Sequence, residues 1–255
     1  MTGRSVSIAL TVIVSVLSSY ACSDSPDCLI APDGLVHFWT GDGSGGDLVG
    51  GADATLLSGA TFTSGFVSSG TGEAFLFDGV DANARVVDMP SLRPTTAFTL
   101  NAWARLDSDQ ANSGPVVGKG RHQQDSYAID QIDGVWRGFV RDAPGSARQV
   151  RGGPFRLGEW THLALTWDGA NVRFYVDGAL AGTQAATSVY STDSFLGIGY
   201  RSEEGFEDEE LDFEFAGAVD EVGYFDRALD AVEVGRIFAS GSDGICKDSS
   251  LSGLP

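Results

Sequence analysis

Residues 98–106 read Phe98-Thr99-Leu100-Asn101-Ala102-Trp103-Ala104-Arg105-Leu106. In an extended chain alternate side chains point to the same face. Phe98, Leu100, Ala102, Ala104 and Leu106 therefore share one face of a strand, whereas a helix would scatter them around its axis. The same alternation returns in Thr161-His162-Leu163-Ala164-Leu165-Thr166-Trp167 and in Val172-Arg173-Phe174-Tyr175-Val176. These end on Asp168-Gly169 and Asp177-Gly178, dipeptides suited to the positive φ of tight hairpins. Working outward, strand-like runs also occur at Leu35-Val36-His37-Phe38-Trp39, Ala74-Phe75-Leu76-Phe77 and Arg85-Val86-Val87. Further runs are Pro115-Val116-Val117, Tyr127-Ala128-Ile129, residues 135–140 after the Asp133-Gly134 turn, and residues 195–200. Leu211, Phe213 and Phe215 alternate with Glu210, Asp212 and Glu214. One segment is helical: Asp230 caps it, Glu233 completes a capping box, and Val232, Val234, Ile237 and Phe238 are its apolar positions. About a dozen short strands and one C-terminal helix predict an all-β, two-sheet antiparallel sandwich.

Composition agrees with that class. Apolar residues make up 42% of 255, enough for a sizeable core, and 34 glycines suit tight turns more than long helices. The formal charge of −19 repels a polyanion, which argues against nucleic-acid binding and against docking on anionic lipid heads. The same field keeps the chain soluble and attracts cations.

Residues 1–21 read as an export signal. Arg4 gives a positive start, residues 7–17 form an apolar run too short to span a bilayer, and Ser19 and Ala21 are small residues ahead of a cleavage point. Cys22 follows directly. It resembles the modified cysteine of bacterial lipoproteins, and the resemblance implies a lipid anchor there; the other reading is an ordinary signal peptide with Cys22 a free thiol able to compete for pairing. Residues 22–33 form a tether, residues 34–240 the folded domain and residues 241–255 a tail. Cys28 and Cys246 bracket the domain, and chain ends often meet in a sandwich. With export permitting oxidation, a Cys28–Cys246 disulfide is expected.

Taken in order, several segments resemble the laminin-G-like, or concanavalin A-like, jellyroll family. Residues 35–39 resemble its "LVAYW" strand, and Asp42-Gly43-Ser44-Gly45 with Asp47-Leu48-Val49-Gly50-Gly51 its "D.GSG" and "D.SGN" loop. Asp53-Ala54-Thr55-Leu56 is similar to "DGTL", Phe77-Asp78-Gly79-Val80-Asp81 to "FDGVDD", and residues 98–103 to "FTISAWV". Gly158-Glu159-Trp160-Thr161-His162-Leu163-Ala164 resembles "G.WTHVA", and residues 172–178 resemble "LRLYVNG". Residues 215–222 with Arg227-Ala228-Leu229 resemble "F.G.IDEVRIYNRAL". The resemblance implies a jellyroll, and a domain that recognises carbohydrate or a surface protein. It also implies a calcium ion (Ca2+) held by Asp47 and Asp220, with a backbone carbonyl near Gly50 as a third ligand. Val49 and Gly51 stand where the family has Ser and Asn, which removes two side-chain oxygens. Turn capping by the same aspartates is the competing reading.

Residues 203–214 carry eight carboxylates and no base. Within them Glu210-Leu211-Asp212-Phe213-Glu214 resembles the E-x-D-x-E strand of laminarinase-type glycosidases. That would place a nucleophile and an acid/base on one face, tuned by the middle carboxylate. The motif lies late in the chain and no Trp flanks it, so a solvated strand face is the preferred reading, with an acidic patch for cations or a basic partner between the two. His37, His122 and His162 show no metal spacing, and His162 is expected to be structural. Tyr127, Trp136 and Tyr200 are candidates for the edge of a ligand groove, against a default of core. The expected function is an exported, non-catalytic binding module, secreted or held on the outer surface or in the periplasm, touching a membrane only through Cys22. A glucan hydrolase using Glu210, Asp212 and Glu214, and a purely structural surface protein, are the alternatives.

Overall fold

A computed structural model describes residues 28–109, 113–201 and 213–247. The proposed leader (1–21), Cys22, and residues 203–212 with Glu210 and Asp212 lie outside the described residues.

Two antiparallel sheets face each other, as the alternation predicts. The first contains β13 (Ala179–Ala185), β12 (Asn171–Val176), β11 (Trp160–Trp167), β6 (Phe98–Leu106), β15 (Ala216–Phe225), β4 (Glu73–Asp78) and β3 (Thr61–Ser64), in that order. β1 (Leu35–Trp39) also pairs with β15. The second runs β10 (Ser146–Pro154), β9 (Val135–Ala143), β8 (Gln124–Ile132), β7 (Gly114–Arg121), β14 (Leu196–Ile198), β5 (Asn83–Val86) and β2 (Ala54–Leu57). This is the expected jellyroll sandwich. β2, β3, β10 and β13 carry too little apolar alternation to be read from sequence. All four sit at sheet edges, where the partner strand does the ordering.

The hairpins form where the dipeptides place them. Asp133 and Gly134 both take positive φ (50° and 78°) between β8 and β9, and Asp177 and Gly178 do so (49° and 72°) between β12 and β13. Two positive φ values in a two-residue loop match the right-handed twist of the flanking strands.

Phe98, Leu100, Ala102, Ala104 and Leu106 are fully buried between the sheets with Val117, Ile129, Val140, Leu163, Leu165 and Phe174. β6 is covered on its other side as well. Trp103 stacks on Phe66 (3.8 Å between ring centroids) and lies beside Phe238 of helix α1 (Ala231–Ala239). The helix has the predicted capping box: Asp230 accepts from the N–H groups of Val232 and Glu233, and Glu233 accepts from that of Asp230. Val234 and Ile237 are buried, but Val232 is exposed, contrary to its reading as an apolar contact; it sits in the first turn, on the solvent side.

Cys28 and Cys246 form the expected disulfide, their Cα atoms 5.0 Å apart. Around it the chain ends pair: the Leu29 N–H donates to Gly244 O and the Cys246 N–H to Leu29 O. Among the described residues no helix is long and apolar enough to cross a membrane.

Candidate functional site

The two aspartates expected to share calcium serve separate loops. The Asp47 side chain is buried, and both its oxygens accept bonds: Oδ2 from His37 Nδ1 (2.6 Å) and the Ala52 N–H (2.9 Å), Oδ1 from the N–H groups of Phe38 (2.9 Å) and Val49 (3.1 Å). Burial alone would raise its pKa; the bonds from His37 and the three backbone groups outweigh that and hold the carboxyl below its usual range. Gly50 lies against His37, where an added Cβ would meet Nδ1 at 2.3 Å. Asp220 Oδ2 instead accepts from the N–H groups of Phe66 (2.9 Å) and Val67 (3.0 Å), clamping the loop after β3. Burial pushes its pKa up to about 7 against those bonds. Calcium takes six to eight oxygens. Among the described residues no group of three or more His, Cys, Asp or Glu side chains is placed to hold a metal. Donors already fill Asp47, so this set does not fit calcium.

The other expected site residues are dispersed. Tyr127 and Trp136 are core residues rather than groove edges; the Tyr127 hydroxyl donates to Leu92 O (3.0 Å). Tyr200 is half-buried and parallel to Phe195 (6.0 Å), with the Arg85 guanidinium 4.7 Å from each ring. Glu214 makes an isolated bridge with Tyr200, between buried Phe213 and Phe215. His122 stands 4.4 Å from the Phe213 ring, and His162 is fully buried.

A concave polar site lies where sequence reading placed nothing. A cleft of about 600 Å3 opens between the end of the β7–β8 hairpin and the segment leading into β14. Arg93, Arg121, Gln124, Tyr190, Ser191, Thr192, Asp193 and Ser194 line it. Its base is built from beneath. Lys119, wholly buried, pairs with Asp88 (2.6 Å) and donates to the carbonyls of Thr192 (3.4 Å) and Ser194. Arg93 engages the same Asp88, through Nε at 3.1 Å and through Nη2. Arg93 chiefly, opposed by partial burial and then helped by Lys119, holds the Asp88 carboxyl below its usual range. Ser126 Oγ donates to Tyr190 O, and the Tyr190 N–H to Arg141 O (2.5 Å), so the segment is tied at both ends. Lys119 lies two residues beyond the run Pro115-Val116-Val117, and nothing in that run points to the cleft. The partner of Lys119, Asp88, is 31 residues away, which no local pattern reveals.

The lining is almost wholly polar, offering guanidinium and amide donors, carboxylate, amide and hydroxyl acceptors, and one aromatic ring. Such a surface hydrogen-bonds a hydroxyl-rich ligand and gives little to an apolar one. Among the described residues the lining holds one carboxylate, that of Asp193, and no His or Cys.

The fold has many solved likenesses. Domain 4 of AbnA, a GH43 extracellular arabinanase from Geobacillus stearothermophilus solved in complex with arabinotriose, superposes with a TM-score of 0.62 at 18% identity. That match covers 79% of this chain and 97% of that one. The binding domain of Paraclostridial Mosquitocidal Protein 1 gives 0.65 at 16% identity, over 81% of this chain and 52% of that one. A Trypanosoma rangeli sialidase gives 0.61 at 22%, over 84% of this chain and 34% of the sialidase. The chain thus spans about half and a third of the latter two. At these identities the likeness is one of fold alone. No curated protein matches the chain. The Laminin_G_3 family model matches residues 78–235, from the last residue of β4 into helix α1. With more than half its length matched, the chain belongs to the concanavalin A-like lectin/glucanases superfamily.

Proposed function

We propose that this chain is an exported, non-catalytic carbohydrate-binding module whose saccharide sits in the cleft between the β7–β8 hairpin and residues 190–194. The observation that carries the reading is the lining itself: a preformed polar concavity with Tyr190 as its aromatic surface, held open by a buried lysine. A saccharide presents a dense array of hydroxyls on a partly apolar ring face, and this surface offers counterparts to both. Similarity to an arabinanase domain solved with arabinotriose supports the class of ligand without naming it. A surface protein is the other partner class for the same rim. The apolar run at residues 7–17 and the Cys28–Cys246 disulfide support export. The intact mass of the mature chain tests it: cleavage leaves Cys22 first, acylated or free, and an uncut leader refutes export.

A glycan array followed by calorimetry, with arabinotriose among the probes, tests the binding. We expect bound glycans with no hydrolysis, and about a tenfold loss of affinity in Y190A, since stacking and the phenolic hydroxyl go while the backbone bonds of Tyr190 stay. An array without hits, or hits indifferent to Y190A, refutes the cleft. Turnover of a β-glucan that E210Q abolishes would make the chain a hydrolase instead.

A further inference from the structure

We propose that Trp160 centres a second saccharide site, at the end of the sandwich opposite the cleft, so that one chain engages two glycan segments. The two sites share a class of ligand and no residue. Of the five tryptophans, Trp39, Trp103, Trp136 and Trp167 are at most 3% exposed, whereas Trp160 keeps part of its indole in solvent. Burying so large a ring is strongly favourable, and the indole of Trp160 retains area for a ligand to cover. It lines a hollow of about 360 Å3 where the last residues of β10 and β12, Pro154 and Val176, meet the first of β11. Pro154 belongs to one sheet and Trp160 and Val176 to the other, so the hollow lies on the seam between them.

The ring is fixed before anything binds. The Arg105 guanidinium lies over it (5.2 Å) and is itself held by two bonds to Asp107 (2.8 and 3.0 Å). Phe66 approaches at 6.3 Å while stacked on Trp103. A preset aromatic loses little freedom on binding. Pro154 and Val176 widen the apolar floor, and Arg156, Glu159 and Asp177 stand around it. Asp177 is pinned there, because its Oδ1 accepts the His162 N–H (3.0 Å). An apolar floor inside a polar rim suits a sugar, whose ring faces present C–H groups and whose edge carries hydroxyls.

Trp160 pairs with Arg105 near the end of β6. β7 starts at that same end: Gly199 bonds to Val116 of β7 and to Phe215, which leads into β15 beside Leu106. From there β7 runs eight residues to Arg121 at the cleft, about 25 Å of extended chain. A short oligosaccharide therefore fills one site or the other, and a polysaccharide can be gripped at both ends of the domain or joined to a second one.

The glycan array is run on the full chain as the parent, Y190A, W160A and the double variant, with arabinotriose, cellotriose and laminaritriose titrated into each. We expect Y190A to keep part of the parent's binding. Adding W160A to it should weaken what is left at least about tenfold, and W160F, which keeps an aromatic face, only about threefold. Succinimide, a neutral quencher of tryptophan emission, should reach chiefly Trp160, since the other four are enclosed. Saturating glycan should then roughly halve the quenching of Y190A, a readout that needs no change at Trp160 itself. Y190A that binds no glycan, binding by Y190A that W160A leaves intact, or quenching that bound glycan does not alter overturns the second site and leaves the cleft standing. Binding indifferent to Y190A and lost in W160A has the reverse meaning. An array with no hits refutes both sites.

Discussion

His162 is enclosed completely, with the rings of Trp103 and Phe238 at 5.2 and 6.2 Å, and neither ring nitrogen has a hydrogen-bond partner among the described residues. Burial without a compensating charge drives its pKa down to about 3. The unfolded chain binds a proton near pH 6.5 and the folded chain only near 3, so this group costs stability progressively as pH falls through that window. Asp220 and Glu221, pushed up by burial to about 7 and 8, act with the opposite sign, since the folded chain holds their protons more tightly. Comparing H162F with the parent isolates the histidine. The stability of H162F relative to the parent should rise as pH is lowered from 6.5 toward 3, by up to about 1.4 kcal/mol per pH unit, read from urea midpoints. A difference that stays flat with pH counts against it. The structural role of His162 was legible because it falls on a strand with apolar neighbours. Tyr127 and Trp136 are in the core, as the default reading had them; the groove alternative stayed open in the sequence because an aromatic at a strand position reads the same on a core face or a groove face.

Short elements are where capping chemistry competes with ligand chemistry. Asp47 stands in the loop that the family resemblance assigned to calcium, and its carboxylate is spent on three backbone N–H groups and His37. The same residue in the same loop thus acts as the internal anion that a turn needs. D47A would leave those donors buried without an acceptor and should cost on the order of 3 kcal/mol. Chelator should leave the melting temperature of the parent unchanged; a chelator-dependent fall would restore calcium to this loop. Helix α1 shows the opposite case, where a capping box read from sequence is found in place. In β15, Glu221 takes φ 52° and the register with β6 shifts between Asp220 and Gly223. That bulge is invisible in the sequence pattern because the alternation resumes on either side of it.

At the scale of the whole molecule, the disulfide joins residues 218 apart and closes nearly the entire domain into one loop. Cross-linking so long a loop chiefly removes freedom from the unfolded chain, worth about 5 kcal/mol on chain entropy alone and usually less in practice. The C28S/C246S double variant should lose roughly 2–5 kcal/mol by denaturant titration, with glycan binding retained at low temperature because none of the residues lining the cleft belongs to the paired chain ends. An unchanged midpoint would mean that the paired ends around Leu29 and Ile245 suffice without the bond.

Period-two alternation, Asp-Gly turns, the capping box and the cysteine pair determined the class of fold, the hairpins, the helix and the disulfide. All rest on signals within a few residues, or on chain ends that a closed sandwich brings together. Tertiary structure alone decided the site. Arg93, Lys119 and Asp193 come from three separate segments, and their convergence on one cleft depends on which strands neighbour which. Strand order is set by packing across the sandwich, so residues far apart in the chain acquire a common surface only once the two sheets have closed.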